Sequence, residues 1–431
     1  LATVFLLVTL AAPLAAQEAP GSGDRINLFF DCQGMGCWDM DFFRREIPWV
    51  NWVRDREDSD VHVLVTSQTT GGGGQQYTLA FIGRGDFLDE DQSLEVSTSG
   101  DATDDEVRRA LAARLALGLG RYVAGTPMAD RFEVRPMDPG SGGPGGAGGP
   151  GGPPPADEHD PWNYWVFTAR LNGNLFGESS YKSVNLNNSL SANRTTDLWK
   201  VNLSGQFSRN TQTYDLEDGT DEYTRESWSS TGLVVRSVSD RFSLGARAQV
   251  GRNSYYNEDL RWSVSPGAEF NIFPYSESSR RSLTLQGLMN VRHWDYTEET
   301  IFFEDAETRV APSLTAALSL VQPWGRMEVS ATHSRYLHDT SKWQTSVFAF
   351  FDVRLFKGFS VNMFGNYGWI RDQLYLPITD YSEAEILLRQ RALATSFTYQ
   401  TFFGISYRFG SIFNNVVNPR FGGGNNMVFI G

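Results

Sequence analysis

RFSLGARAQVGR (241–252) is the stretch whose reading decides the fold. Phe242, Leu244, Ala246, Ala248 and Val250 fall on one side of an extended chain, and Ser243, Gly245, Arg247, Gln249 and Gly251 on the other. Side chains of a strand alternate between its faces, so an apolar face backed by arginine and glutamine suits a strand between lipid and a wet lumen. A membrane helix would need roughly 18 or more apolar residues in a row, and past residue 17 the chain has no such run.

The same period recurs from Trp162 to Phe409. Turn signals divide it into segments near 162–177, 181–194, 197–213, 223–238, 241–255, 260–273, 281–296, 306–322, 326–337, 343–356, 359–374 and 395–409. That is about twelve strands, an even number, as single-chain bacterial barrels have. The connections give a second test. RTTD (194–197), SVSDR (237–241), PYSESSRR (274–281), QPWGR (322–326) and FKGF (356–359) are short. The intervening ones, YDLEDGTDEY (214–223), YYNEDL (255–260), YTEETIFFEDAE (296–307) and the stretch from Gln373 to Ala394, are longer and mostly acidic, with the tight GESS (177–180) as the exception. Short periplasmic turns and long outer loops follow the barrel rule. The expectation is a transmembrane antiparallel β-barrel of about 12 strands over 161–411 and a C-terminal tail over 412–431.

Trp162, Tyr164 and Trp165 at one end of the barrel sequence, and Tyr399, Phe403, Tyr407 and Phe409 at the other, suit aromatic girdles at the two membrane interfaces. The last strand, FTYQTFFGISYRFGS (397–411), resembles the closing strand of bacterial outer-membrane β-barrel proteins. That resemblance implies a Gram-negative outer membrane as the location. It departs from the pattern in continuing for about twenty residues, which either enter the lumen mouth or hang in the periplasm.

LATVFLLVTLAAPLAAQ (1–17) reads as the apolar region and small-residue cleavage site of a signal peptide, assigned to 1–16 with its charged start missing. Residues 25–127 read as a small periplasmic α/β domain. RINLFFDC (25–32) is a strand, DMDFFRREI (39–47) a helix, VHVLVTSQTT (61–70) and QQYTLAFIGRG (75–85) a hairpin, and SLEVST (93–98) a further strand. TDDEVRRALAARLALGLGRYVAG (103–125) is a helix whose acidic first turn suits its dipole and whose Leu111, Leu115 and Leu119 share a face. A Gly/Pro-rich linker over 128–160, densest in MDPGSGGPGGAGGPGGPPPADEHD (137–160), cannot bury apolar surface. The domain before it is expected to be tethered below the barrel and uncoupled from it.

Cys32 and Cys37 bracket QGMG, and in an oxidising compartment they are expected to form a small-loop disulfide. GGGG (71–74) lacks the Lys-Ser or Lys-Thr of a phosphate loop and sits between strands, which makes it a hairpin tip. The order of elements in SDVHVLVTSQTTGGGGQQYTLAFIG (59–83) and VRRALAARLALGLGRYV resembles the periplasmic N-terminal domain of TolB and, more loosely, the curli-secretion lipoprotein domain. No propeller follows, so the resemblance implies a domain fold and not a shared partner.

The polar phase of the strands points Arg170, Lys200, Arg236, Arg247, Glu269, Arg292, Arg309, Glu328, Asp352, Arg354 and Arg408 into the lumen. Bases outnumber acids there, which fits an ion-paired interior or an anion-favouring channel. A net charge of −14 argues against a nucleic-acid partner. An outer-membrane hydrolase would need histidine and serine on one face, whereas His333 and Ser334 are adjacent and point apart. No catalytic residues, metal ligands or cofactor are assigned. Expected partners are outer-membrane lipid, the barrel-assembly machinery during biogenesis, and a periplasmic protein or cell-wall component for the N-terminal domain. The function expected is a passive channel or binding barrel; the alternatives are a closed structural or tethering barrel and, third, a hydrolase.

Overall fold

The computed structural model describes residues 25–32, 39–71, 73–132, 161–216, 219–378, 393–413 and 415. The signal-like start, Cys37, the linker from residue 133 onward and most of the tail lie outside these residues. Two sheets make up the described chain, one of five strands and one of twelve.

The five-stranded sheet uses β1 (Asn27–Cys32), β2 (Asn51–Trp52), β3 (Val61–Thr69), β4 (Gln75–Gly83) and β5 (Gln92–Thr98), in the order β2-β1-β3-β4-β5. β1 pairs in parallel with β2 and β3, and β3-β4-β5 is an antiparallel meander. Helix α1 (Met40–Glu46) crosses between β1 and β2, and α2 (Asp104–Val123) follows β5. Thr103 caps α2 in a reciprocal capping box with Glu106, behind an acidic first turn of Asp104, Asp105 and Glu106. The expected leucine face is the one that packs: Leu111, Leu115, Leu119 and Tyr122 are fully buried against Leu79, Phe81 and Val96. Gly118 is required there, because a Cβ at that position would lie 2.0 Å from the Phe81 ring.

Both helices cover one face of this sheet. The ladder puts Phe29, Asp31, His62, Leu64 and Thr66 on the opposite face, and all five are buried. Their cover comes from the second sheet.

That sheet is a twelve-stranded meander, β6 (Trp165–Gly177), β7 (Tyr181–Thr195), β8 (Trp199–Leu216), β9 (Gly219–Ser237), β10 (Phe242–Asn253), β11 (Glu258–Asn271), β12 (Arg281–Tyr296), β13 (Ala306–Gln322), β14 (Gly325–Arg335), β15 (Trp343–Phe356), β16 (Phe359–Ile370) and β17 (Phe397–Tyr407). Every neighbouring pair is antiparallel and consecutive in sequence. Among the described residues no ladder joins β6 to β17. Apolar residues such as Leu171, Leu190, Leu244, Val264 and Leu314 are exposed on the outer face, which only lipid can cover favourably. On β16 the outer rings Phe359 and Trp369 lie ten residues apart, with Tyr407 beside the first and Phe397 beside the second. Ten residues span roughly 33 Å along a strand, or about 25 Å of depth at a barrel's tilt, which matches the apolar band of an outer-membrane barrel. No helix is long and apolar enough to cross a membrane among the described residues.

One loop differs from its reading. YDLEDGTDEY (214–223) is paired strand on both sides of residues 217–218, because β8 and β9 stay in register up to Leu216 and Gly219. Asp215, Asp221 and Glu222 sit on a protruding ladder that needs no apolar face, with Asp215 held by Lys182 at 3.2 Å. At the long-loop end, residues 371–378 turn inward. Leu374 packs with Trp294, Tyr296, Ala311 and Tyr336, and Pro377 bridges to Thr300 of the 297–305 loop.

Candidate functional site

The buried face of the small sheet lies across the short-turn end of the barrel sheet, and the contacts are specific. Asp31, near the end of β1, receives both guanidinium Nη atoms of Arg354, the second to Oδ1 at 2.7 Å. Such a fork-on-carboxylate pair is the strongest geometry the two groups offer. Asp31 is 3 % exposed, and His62, with no exposed surface, sits with Nε2 3.5 Å from its Oδ2. Burial works to raise the Asp31 carboxyl, but the hydrogen bonds and charges of Arg354 and His62 outweigh it and hold the group at about 2. The guanidinium also lies over the Phe29 ring, 5.2 Å from its centroid.

The segment after β2 carries the second set. Asp55 accepts from the backbone N–H of Gly358 at 3.1 Å, Asp58 meets Lys357 Nζ at 2.5 Å, and Arg56 donates to the Pro323 carbonyl at 2.9 Å. These partners belong to the two tight turns QPWGR and FKGF. At the far side of the mouth the glycine tip meets a third turn, where a Cβ on Gly71 would stand 2.8 Å from Thr195. The tip glycines therefore serve close approach. The start of the tail closes the remaining edge: Val53 bridges to Phe413, Arg54 N–H donates to the Ile412 carbonyl at 3.0 Å, and Trp52 N–H donates to Asn415 Oδ1 at 2.6 Å. The expectation of an uncoupled domain is thereby corrected. Reading the linker's composition could not reveal it, because the coupling is made by residues on either side of the linker.

Register decides which predicted lumen residues share a face. Arg170, Lys200, Arg247, Glu269, Arg292, Arg309, Glu328, Asp352 and Arg354 all stand on the polar face, and Arg408 continues its phase past β17. Arg236 does not. It pairs with Trp199 and Leu244 on the apolar face, its guanidinium 5.6 Å from the Trp199 ring centre. The end of β9 places Leu233 and Val235 inward, so a charge at the strand's rim misreports its phase. Arg225, Arg261, Arg326, Glu258 and Glu307 share the polar face and were missed because they lie near strand ends. Arg261 pairs with Glu258 at 3.2 Å and Arg309 with Glu307 at 2.7 Å. The same face carries an aromatic row, Phe350, Phe364 and Phe402, above the short-turn mouth. His333 lies outside against Thr345, at 2.8 Å, and Ser334 is buried inside.

An apolar outer belt, a polar inner face, an even meander and a docked α/β domain define an outer-membrane-type β-barrel. Residues 177–374, which contain β7–β16, match the family model described as "Protein of unknown function, DUF481". No curated protein matches the chain. Among solved structures it is similar to the translocator domain of autotransporter NalP from Neisseria meningitidis, at 12 % identity over 57 % of this chain and 87 % of that one, with a TM-score of 0.23. At that score the overlap is loose.

Proposed function

We propose that this chain is an outer-membrane channel whose periplasmic mouth is held shut by its own N-terminal domain. The observation that carries the reading is the Asp31–Arg354 clamp, which fixes a sheet face across the short-turn end. Short turns lie on the periplasmic side of outer-membrane barrels, and the strand and helix order that resembles TolB's N-terminal domain supports the same placement. The lining is rich in arginine, and a same-sign lining in a low-dielectric wall favours the opposite ion, so the open state passes anions.

A second reading has its own support. Trp294, Tyr296, Tyr336 and Leu374 fill the long-loop end, as suits a permanently closed barrel serving as an envelope tether or assembly component. Planar-bilayer conductance of the full chain separates the two. Rare openings in the parent, and frequent anion-preferring openings once Asp31 is changed to asparagine, support the gated channel. Silence in both chains would overturn it in favour of the closed barrel.

A further inference from the structure

Between the docked domain and the barrel mouth lies a cavity of about 740 Å³. Arg44, Arg54 and Arg56 enter from the domain, and Arg326, Arg354 and Arg408 from the barrel. Five of the six are already paired, Arg354 with Asp31, Arg54 with Asp55, Arg56 with Glu57, Arg44 with Asp41 and Arg326 with Glu328. Arg408 lines the same space and makes no ion pair among the described residues. One donor is unspent: Arg44 Nε is buried and has no hydrogen-bond partner among the described residues. Leaving such a group unsatisfied is costly, so a ligand that accepts from it binds with a donor already desolvated.

The rest of the wall is aromatic. Phe350 lines it from the inner face of the barrel and Phe29 from the facing sheet of the domain. A volume of this size holds a small organic molecule. From these features we infer that the cavity is a binding site for a small amphiphilic anion, a phosphate monoester or equivalent oxyanion group on an apolar body. Arg408 and the spare Nε of Arg44 take the head group, and Phe29 and Phe350 take the body. Because the domain supplies half of the cavity wall, a bound anion stabilises the seated domain and biases the mouth toward closure. This inference rests on the docked mouth described above, since the cavity has walls only while the domain is seated.

The test is calorimetric titration of the purified full chain in detergent with hexyl phosphate, inorganic phosphate and hexanol. Hexyl phosphate should bind at least ~10-fold more tightly than either of the others, and the Arg44→Gln, Arg408→Gln double variant should lose at least ~10-fold, one decade being well inside what charge-assisted pairs supply. Arg44→Lys with Arg408→Lys should recover part of the loss, which separates lost charge from misfolding, and Arg121→Gln, on α2 across the small sheet from the cavity, should bind as the parent does. Hexyl phosphate binding no better than hexanol, or unchanged in the double variant, overturns the site; inorganic phosphate binding equally well overturns its apolar half. Carbodiimide coupling of Lys357 to Asp58, detected by peptide mass spectrometry, reports docking in the same samples. Coupling without binding overturns this inference alone, whereas absence of coupling overturns the docked mouth itself. Nanodiscs with and without phosphatidic acid identify the source: a lipid-borne head group supports the site by blocking hexyl phosphate only where that lipid is present, and a free ligand supports it by binding equally in both.

Discussion

Replacing Asp31 with asparagine keeps the shape of β1 and removes the charge that Arg354 grips. The carboxyl is held at about 2 with its side chain 2 % exposed, against an ordinary aspartate value of about 3.9. A difference of roughly 2 units is worth about 2.6 kcal/mol, which is a ceiling, because His62 travels with the domain and keeps its share. Arg354, with its side chain 26 % exposed, can reach water when released, so the cost of stranding it stays below that of a fully buried orphan charge. Docking should weaken by about 30–100-fold. Thr66 supplies the readout: it is 6 % exposed beneath the mouth, and its hydroxyl has no partner among the described residues, so Thr66→Cys is a mild change. In the Asp31→Asn background the thiol introduced there should react with maleimide faster by the same factor, scored at that site by mass spectrometry. Equal labelling rates in the two backgrounds would refute the clamp as the force that seats the domain.

Four further outcomes follow from the same structure. Because the Asp31 carboxyl is depressed, its contribution is complete above about pH 4 and drains away as the pH falls toward about 2; dithiodipyridine labelling of Thr66→Cys should rise through that window in the parent and stay flat in Asp31→Asn. Gly118→Ala pushes a methyl into the Phe81 ring and should cost about 1–3 kcal/mol, read as a lower urea midpoint for the small domain with the barrel's own transition unmoved. Arg247→Gln should reduce the anion preference of the open channel while Arg236→Leu leaves it unchanged, and reversal potentials showing the opposite ranking would mean that β9 is out of register. In lipid every backbone polar group must be satisfied, so β6 and β17 should close on each other; their amides should then exchange with deuterium as slowly as those of β12, and fast exchange confined to these two strands would show an open seam.

Much of the barrel was legible because its physics is local. The boundaries of β12 and β13 fall where alternation and turn residues put them, Arg281–Tyr296 and Ala306–Gln322. Helix α2 was legible for the same reason, through its acidic start and leucine face. The docked mouth was not, since it joins residues 323 positions apart in the chain, as with Asp31 and Arg354. A trace of it does exist in the sequence. β1 and β3 carry Phe29, Asp31, His62 and Leu64 on the face away from the helices, and a two-layer domain that left such a face to water would spell it with fully polar residues. A carboxylate and an imidazole among apolar neighbours on that face signal a partner surface with a charge of its own. Arg236 failed for the opposite reason: a long side chain at a strand's rim can reach water from either face, so its charge carries little information about phase.

The tail's first residues have a consequence for the timing of assembly. Ile412, Phe413 and Asn415 are joined to residues 52–54, so the edge of the small sheet is finished by a segment that follows the barrel sheet's last strand. The cap thus cannot be fully seated on a barrel that lacks its twelfth strand, and a chain interrupted during insertion is left with β2 uncovered at its edge. Completion of the twelve-stranded wall and seating of the small domain on it are thereby linked.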